Sequence, residues 1–207
     1  MGNLRDRGGG YVAGIRSFVA IELPDDTTAA LAAIQADLKA QAPPKAVRWT
    51  RPQSIHLTLQ FLGDVATDRI EAIGDALRGA CTNQGTFHFQ LYGLGVFPNL
   101  NRPRVVWVGV VEPSGVLAAL HKRVTGALAA LGFQEEKRPF SPHLTLGRVS
   151  DRANRRELAE IGDLINRSAV GSIGQISVDH VTLFKSDLRP DGAVYTPLAV
   201  VAFDKAG

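Results

Sequence analysis

One nine-residue pattern occurs twice in this chain of 207 residues. Residues 51–59 read RPQSIHLTL and residues 138–146 read RPFSPHLTL, so Arg, Pro, Ser and the His-Leu-Thr-Leu block recur at an offset of 138 − 51 = 87. The period is too long for a solenoid, whose repeats span about 20–50 residues. The duplication is compatible with two related halves that face each other across a pseudo-twofold axis.

Apolar residues predict the order βαββαββαβαββ for the whole chain. Helical spacing favours helices at about 25–41 and 67–80, a third capped by Ser114, and a fourth around Leu158. Alternation favours strands such as IRSFVAIEL, and ISVDHVTLFKS is interpreted as a single strand. Because helices do not alternate strictly with single strands, we predict an α+β fold with antiparallel or mixed sheets and outer helices.

Composition excludes several kinds of protein. Cys81 is the only cysteine, which leaves no intrachain disulfide and no cysteine-based zinc site, and we expect a cytoplasmic protein. The net charge of +3 favours the approach of an anionic substrate without identifying one. No apolar run has the length of a membrane span. We expect residues 1–10, MGNLRDRGGG, to be a disordered terminus or an added remnant, and residues 11–207 to form a single domain.

The duplicated strand carries different chemistry on its two faces. Side chains alternate along a strand, so His56 and Thr58 point one way while the leucines beside them point the other. His143 and Thr145 repeat this arrangement in the second copy. A duplication kept for packing alone would need the leucines but would not need histidine and threonine on the opposite face. The pattern therefore indicates a site built from two imidazoles and two hydroxyls.

This set of groups suits phosphoryl transfer. A neutral imidazole can take a proton from water, and a protonated one can give a proton to the departing oxygen. Threonine hydroxyls can donate hydrogen bonds to non-bridging phosphate oxygens as charge grows on them. Two histidines and two threonines without a carboxylate cluster make a poor metal site. We therefore expect neither a metal nor another cofactor.

The chain resembles the 2H phosphoesterases, a superfamily with two H-x-[ST] motifs, and is most similar to its RNA 2′,3′-cyclic phosphodiesterases, also called 2′-5′ RNA ligases. The resemblance lies in RSFVAIELP, HLTLQFLGDV, PRVVWVGV, RPFSPHLTLGRV and VTLFKSDLRPDGAVYTPL. It implies a bilobal, pseudo-twofold α+β domain with a sheet in each lobe and a central cleft. It also implies metal-independent opening of 2′,3′-cyclic phosphates at RNA ends or on nucleotides to leave a 2′-phosphate. We expect a monomer without an obligate protein partner or membrane.

The same resemblance implies roles for individual residues. His56 and His143 become the catalytic pair, with Thr58 and Thr145 on the phosphate. We assign His56 as the general acid for the O3′ leaving group and His143 as the general base for water, although the pseudo-symmetry of the site leaves the order of the two roles open. An arginine at the position of Arg148 is expected near the substrate.

The residue at the matching place in the first copy is Phe61, which could stack on a base. Strict alternation would turn both Phe61 and Arg148 towards the core. Each strand therefore needs a bulge or an end at this point.

Two other functions remain open for such a site. A 2′-5′ RNA ligase could use the same histidines, with an RNA 5′-hydroxyl in place of water. A nucleotide- or RNA-binding module without catalysis would keep the residues but not the turnover. A third His-x-Thr, at His180 and Thr182, lacks the Arg-Pro-x-Ser frame, and we expect a structural or solvent-facing histidine there.

Overall fold

The computed structural model describes residues 3–5, 11–134, 136, 138–189 and 192–204, with side chains from residue 14 onward. The described residues form ten strands and four α-helices. The strands are β1 Asn3–Arg5, β2 Tyr11–Ile21, β3 Val47–Trp49, β4 Leu57–Ala66, β5 Phe87–Phe97, β6 Val105–Val111, β7 His143–Val149, β8 Ser172–Val178, β9 His180–Arg189 and β10 Gly192–Ala202. The helices are α1 Asp25–Gln41, α2 Ile70–Cys81, α3 Val116–Ala130 and α4 Arg155–Arg167.

Eight of these strands form one path in the order β10-β9-β2-β4-β7-β6-β5-β8, and every pair is antiparallel. The path consists of two half-sheets: the first is β10, β9, β2 and β4, and the second is β7, β6, β5 and β8. A single residue pair, Leu57 with Leu144, joins them. The predicted α+β class with two pseudo-symmetric halves is confirmed, and the junction lies one residue after each histidine of the duplicated motif.

The helices follow the same pseudo-symmetry. Adding 87 to the range 25–41 gives 112–128, which overlaps α3, and adding 87 to 70–81 gives 157–168, which overlaps α4. Helices α2 and α3 pack together and contact β10 and β4, whereas α1 contacts β8 and α4 contacts β5. Since α1 follows β2 and α3 follows β6, each of these two helices contacts the half-sheet opposite the one that holds its preceding strand.

The leucines of the two motifs lie in the hydrophobic core, as predicted. Leu57, Leu59, Leu144 and Leu146 are all at most 4% exposed. Each fully buried leucine contributes roughly 1.5–3 kcal/mol relative to an exposed one. Burial of this face therefore fixes the register at the junction and leaves the opposite face, with its histidines and threonines, away from the core.

Two local predictions differ from the structure. The segment interpreted as one strand, ISVDHVTLFKS, is divided at Asp179 between β8 and β9, which lie in different half-sheets. The partner strand changes at this residue: β8 pairs with β5, whereas the Asp179 carbonyl accepts a hydrogen bond from the Phe203 N–H, next to the β10 residue opposite His180. At α3, the N-cap residue is Gly115, and the Glu112 carboxylate accepts from the Ser114 and Leu117 N–H groups. Ser114 is therefore not the cap.

Part of the segment expected to be a disordered terminus lies within the described residues. Within residues 1–10, Asn3–Arg5 pair antiparallel with residues 11–13 and extend the edge of β2. The other residues of that segment lie outside those described. Among the described helices, none is both long enough and apolar enough to cross a membrane.

Candidate active site

The two motif histidines have the same local surroundings. The Nδ1–H of His56 donates to the Ser54 carbonyl at 2.9 Å, and that of His143 donates to the Ser141 carbonyl at 2.7 Å. A carbonyl can only accept, so the hydrogen must be on Nδ1 in both neutral rings. Each Nε2 is then the atom available for proton transfer. The serine of the Arg-Pro-x-Ser frame thus orients the imidazole through its backbone.

The sequence analysis missed this role of Ser54 and Ser141, although their recurrence two residues before each histidine was the signal. In the first copy the frame forms a short 3₁₀ turn, Pro52–Ser54, that brings the serine carbonyl back towards the ring. The locked φ of the proline suits the first position of such a turn.

The junction of the half-sheets brings the two motifs together. Leu57 is paired with Leu144, and extending this antiparallel register by one residue in each direction would bring His56 opposite Thr145 and Thr58 opposite His143. Residues directly opposite each other point to the same face, so all four side chains lie on one face. We call this the histidine face. In that extended register the two histidines would be diagonal neighbours, which lie about 7–8 Å apart in an antiparallel pair.

Twin β-bulges turn two further side chains onto the histidine face. The pairing of β2 with β4 passes from Thr58 to Gln60, and the pairing of β6 with β7 passes from Thr145 to Gly147. The skipped residues are Leu59 and Leu146, which are equivalent in the duplication because 146 − 59 = 87. An extra residue reverses the alternation beyond it.

These bulges settle the orientation of Phe61 and Arg148. Phe61 is paired with Phe18, is 61% exposed and lies 6.0 Å from the Phe18 ring. Arg148 is paired with Val105, which shares a strand face with Trp107 opposite Thr145. The prediction that each strand needs a bulge at this point is confirmed. The six residues selected from the sequence therefore share one face.

Aromatic rings surround both histidines. His56 stacks on Phe18 at 4.7 Å and meets Tyr195 edge-on at 5.1 Å. Phe18, Ala20 and Phe184 form a small second core on the histidine face, with Tyr195 packed against it.

Around His143, Phe97 packs edge-on at 4.9 Å and Trp107 lies at 6.4 Å. The sequence analysis did not select these four aromatic neighbours, because their proximity depends on pairing between distant strands. Gly95 makes room for the indole, since a Cβ there would lie 2.2 Å from the Trp107 ring.

Burial controls the protonation of the two histidines. Desolvation lowers the pKa of His56 from 6.5 to about 4, although the Ser54 carbonyl and the Glu22 carboxylate act in the opposite direction. Burial also lowers the pKa of His143, the Ser141 carbonyl opposes the shift, and the Arg148 charge lowers the pKa further. Both rings are therefore neutral at pH 7 in the free protein.

The charge of Arg148 affects residues on both sides of the site. Burial raises the pKa of Tyr195, and the charges of Arg148 and Arg16 oppose that shift. Since Tyr195 contacts His56, the arginine charge is felt beside both histidines. A guanidinium in this position can neutralise an anion held between them.

The third His-x-Thr has different surroundings. His180 contacts the carboxylates of Asp179 at 2.6 Å and Glu22 at 3.3 Å, and the buried Thr182 hydroxyl donates to Glu22 at 2.8 Å. These contacts tie β9 to the end of β2, which fits the structural role expected for His180. No group of three or more possible His, Cys, Asp or Glu metal ligands occurs in the part of the chain that the structure describes.

Two open grooves adjoin the histidine face. One, of about 710 Å³, is lined by Trp107, Gly95, Asn99 and Asn166 among others. The other, of about 410 Å³, is lined by residues that include Phe61 and Arg69. The histidines line neither groove. They lie at the junction of the half-sheets, between the aromatic clusters just described.

Comparisons with known proteins reproduce the twofold organisation. A family model described as LigT like Phosphoesterase matches the chain twice, over residues 21–107 and 108–195. Each match contains one His-x-Thr motif of the duplicated frame. The first includes His56 and the second includes His143.

Individual relatives match over most of their length. The chain is 35% identical over 187 residues to an RNA 2′,3′-cyclic phosphodiesterase of Methanothermobacter thermautotrophicus, covering 90% of this chain and 97% of that protein. It is 34% identical over 186 residues to a protein of the same name from Archaeoglobus fulgidus, covering 90% and 99%.

Solved structures agree with this match. The crystal structure of E. coli LigT with 3′-AMP superposes with a TM-score of 0.72 at 28% identity, covering 93% of this chain and 99% of that one. A crystal structure of a Thermus thermophilus protein gives a TM-score of 0.75 at 26% identity, covering 93% and 100%.

Proposed function

The chain belongs to the LigT-like 2H phosphoesterase family, and from that premise we propose that it hydrolyses 2′,3′-cyclic phosphates at RNA ends or on nucleotides to 2′-phosphates. One observation carries the proposal. Two imidazoles, each donating its Nδ1–H to a serine carbonyl, come one residue before Leu57 and one residue before Leu144, the pair that joins β4 to β7.

The mechanism needs one proton acceptor and one proton donor around the phosphorus. His143 Nε2 takes a proton from water, the water oxygen attacks phosphorus, and the P–O3′ bond breaks. The proton on His56 Nε2 passes to O3′, which leaves a 2′-phosphate and a 3′-hydroxyl. Thr58 and Thr145 donate hydrogen bonds to the non-bridging oxygens, and Arg148 compensates their charge.

The electrostatic surroundings support this division of roles. Glu22 favours the protonated form of His56, whereas Arg148 favours the neutral form of His143. Burial holds the pKa of free His56 near 4, so the ring must gain its proton when the anionic phosphate binds beside it. The substrate itself thus prepares the acid. Because each turnover leaves the proton on the other histidine, proton exchange between the rings must precede the next cycle.

The aromatic residues of the first half-sheet provide a surface for the base. Phe61 is exposed next to the buried Phe18 and borders the groove of about 410 Å³. An exposed ring on the histidine face gives a flat apolar surface, on which any base can stack. We assign base stacking to Phe61.

Product analysis tests the proposed function. The protein is incubated with adenosine 2′,3′-cyclic phosphate, and ³¹P NMR identifies the position of the phosphate. We expect 2′-AMP as the product. A 3′-AMP product would contradict the choice of leaving group, and tight binding of 2′-AMP without turnover would indicate a binding module.

A parallel incubation tests the ligase alternative. An RNA strand with a free 5′-hydroxyl is added to a strand that ends in a 2′,3′-cyclic phosphate. The proposal predicts hydrolysis as the main reaction, because water needs no ordered binding. A 2′-5′-linked strand as the main product would assign the site to ligation.

A further inference from the structure

Two arginines lie directly opposite each other where β3 pairs with β7. Strand β3 pairs with β7, and the register places Arg48 across from Arg148. The neighbouring pair, Val47 and Val149, is buried in the core. Alternation therefore turns Arg48 to the opposite side, onto the histidine face with Arg148.

No compensating charge accompanies this pair in the described part of the chain. Both arginines are exposed, and among the described residues neither forms an ion pair or a side-chain hydrogen bond. Like charges placed directly opposite on a sheet are destabilising. Some exposed arginines are paired, such as Arg104 with Asp151 and Arg156 with Glu160, whereas Arg155 is not paired with any described residue. What distinguishes Arg48 and Arg148 is that they face each other on adjacent strands. Two guanidinium groups held together without a carboxylate form a site for an anion.

Arg148 serves the phosphate under attack in the proposed mechanism, so the site that Arg48 adds is for a second anion. Because the bulge at Leu146 takes one residue out of the pairing, Arg148 lies two ladder positions beyond Thr145, about 7 Å at the usual rise of a strand. The charge of Arg148 reaches His143 and Tyr195, which directs it towards the reacting phosphate. Arg48 comes from the neighbouring strand at the far end of this row. A second phosphate, carried by the same substrate, would lie between the arginine pair.

We propose that Arg48, which faces Arg148, binds the phosphodiester that precedes the terminal nucleotide of an RNA strand, so that the preferred substrate is an oligonucleotide with a cyclic end. The inference rests on the proposed function and specifies its substrate class. A mononucleoside cyclic phosphate carries no such group and leaves this site empty. The energy of the second contact is realised in binding, so its loss raises KM more than it lowers kcat.

The test compares two substrates and three proteins. The substrates are adenosine 2′,3′-cyclic phosphate and the dinucleotide ApA with a 2′,3′-cyclic end. The proteins are the wild type, Arg48→Gln, and Arg155→Gln as a matched control. Arg155 is an exposed arginine in the first turn of α4, which packs on β5 in the helical layer. We expect Arg48→Gln to lower kcat/KM for the dinucleotide about tenfold more than for the mononucleotide, mainly through KM.

A dinucleotide with an uncharged linkage tests whether Arg48 recognises the charge of the upstream phosphodiester or only its shape. When the upstream phosphodiester is replaced by a methylphosphonate, the wild type should lose the same roughly tenfold advantage, and Arg48→Gln should cause no further loss. Arg48→Lys should retain part of the preference because it keeps the charge. The control Arg155→Gln should leave the ratio between substrates unchanged.

Two results would overturn the inference while leaving the proposed function intact. One is an equal loss on both substrates, which would place Arg48 at the reacting phosphate. The other is a wild type without preference for the dinucleotide. If the wild type hydrolyses neither substrate, the proposed function fails, and calorimetry with ApA 2′-phosphate and 2′-AMP tests the arginine site by itself. Equal affinity for the two would then refute it.

Discussion

Protonation of His56 should weaken the fold in a defined pH range. Burial holds the folded pKa of this imidazole at about 4, against 6.5 for an ordinary histidine. Between these two values the unfolded chain binds a proton that the folded chain does not, so acid favours unfolding. The contribution of the neutral His56 ring to the free energy of unfolding is fully present above pH 6.5 and is lost as the pH falls towards 4.

The size of the effect follows from the two pKa values. At pH 5 the imidazole is almost completely protonated in the unfolded chain but only about one-tenth protonated in the folded protein. The free energy of unfolding is therefore about 2 kcal/mol lower at pH 5 than at pH 7.5. His143 adds to the loss, because burial lowers its pKa as well. A contribution of this size is a large part of the stability of a typical domain, about 5–15 kcal/mol.

Urea denaturation of the wild type and His56→Gln at pH 7.5 and pH 5.0 isolates the contribution. Glutamine removes the titration while keeping a polar side chain at the position, and His143 titrates alike in both proteins. We expect the wild type to lose about 2 kcal/mol more than the variant between the two pH values. Equal losses would show that His56 is not held neutral by its surroundings, and the reasoning on its pKa would be wrong.

Three further predictions concern the site. Thr145→Val keeps the shape but removes a donor to the phosphate, so kcat on a cyclic nucleotide should fall about 10²-fold with unchanged thermal stability; an unchanged kcat would remove Thr145 from the mechanism. Gly95→Ala places a Cβ 2.2 Å from the Trp107 ring and should cost roughly 1–3 kcal/mol in urea denaturation, whereas the control Gly126→Ala, with open space in α3, should be neutral or stabilising; equal effects would contradict the packing argument. Turnover should survive excess EDTA, since no proposed step uses a metal, and loss of activity that zinc or magnesium restores would refute that mechanism.

The face chemistry of the motif could be predicted from the sequence. Alternation in HLTL fixes which side chains share a face, and burial of the leucines decides which face is inside. The offset of 87 also predicted two equivalent halves, which the paired half-sheets confirm. These inferences needed only the period of a strand and the cost of exposing leucine.

Features that depend on pairing between distant segments could not be obtained this way. The position of a bulge is set by the partner strand, so the sequence indicated that Phe61 and Arg148 needed one but not where it lay. The division of the ISVDHVTLFKS segment reflects a change of partner strand, from β5 before Asp179 to β10 and β2 after it. The packing of α1 and α3 on the opposite half-sheets could not be predicted from their own sequences, because a helix buries the same apolar stripe against either sheet.

Co-operation of the two histidines is tested most directly by three variants: His56→Ala, His143→Ala and the double variant. The kcat of each is measured on adenosine 2′,3′-cyclic phosphate. If both rings act on the same phosphorus, each single substitution should lower kcat by about 10³-fold. The kcat of the double variant should then be only slightly below that of the less active single variant. Turnover within a few-fold of wild type in either single variant, or losses that multiply in the double variant, would contradict the convergence of the two imidazoles on one reacting centre.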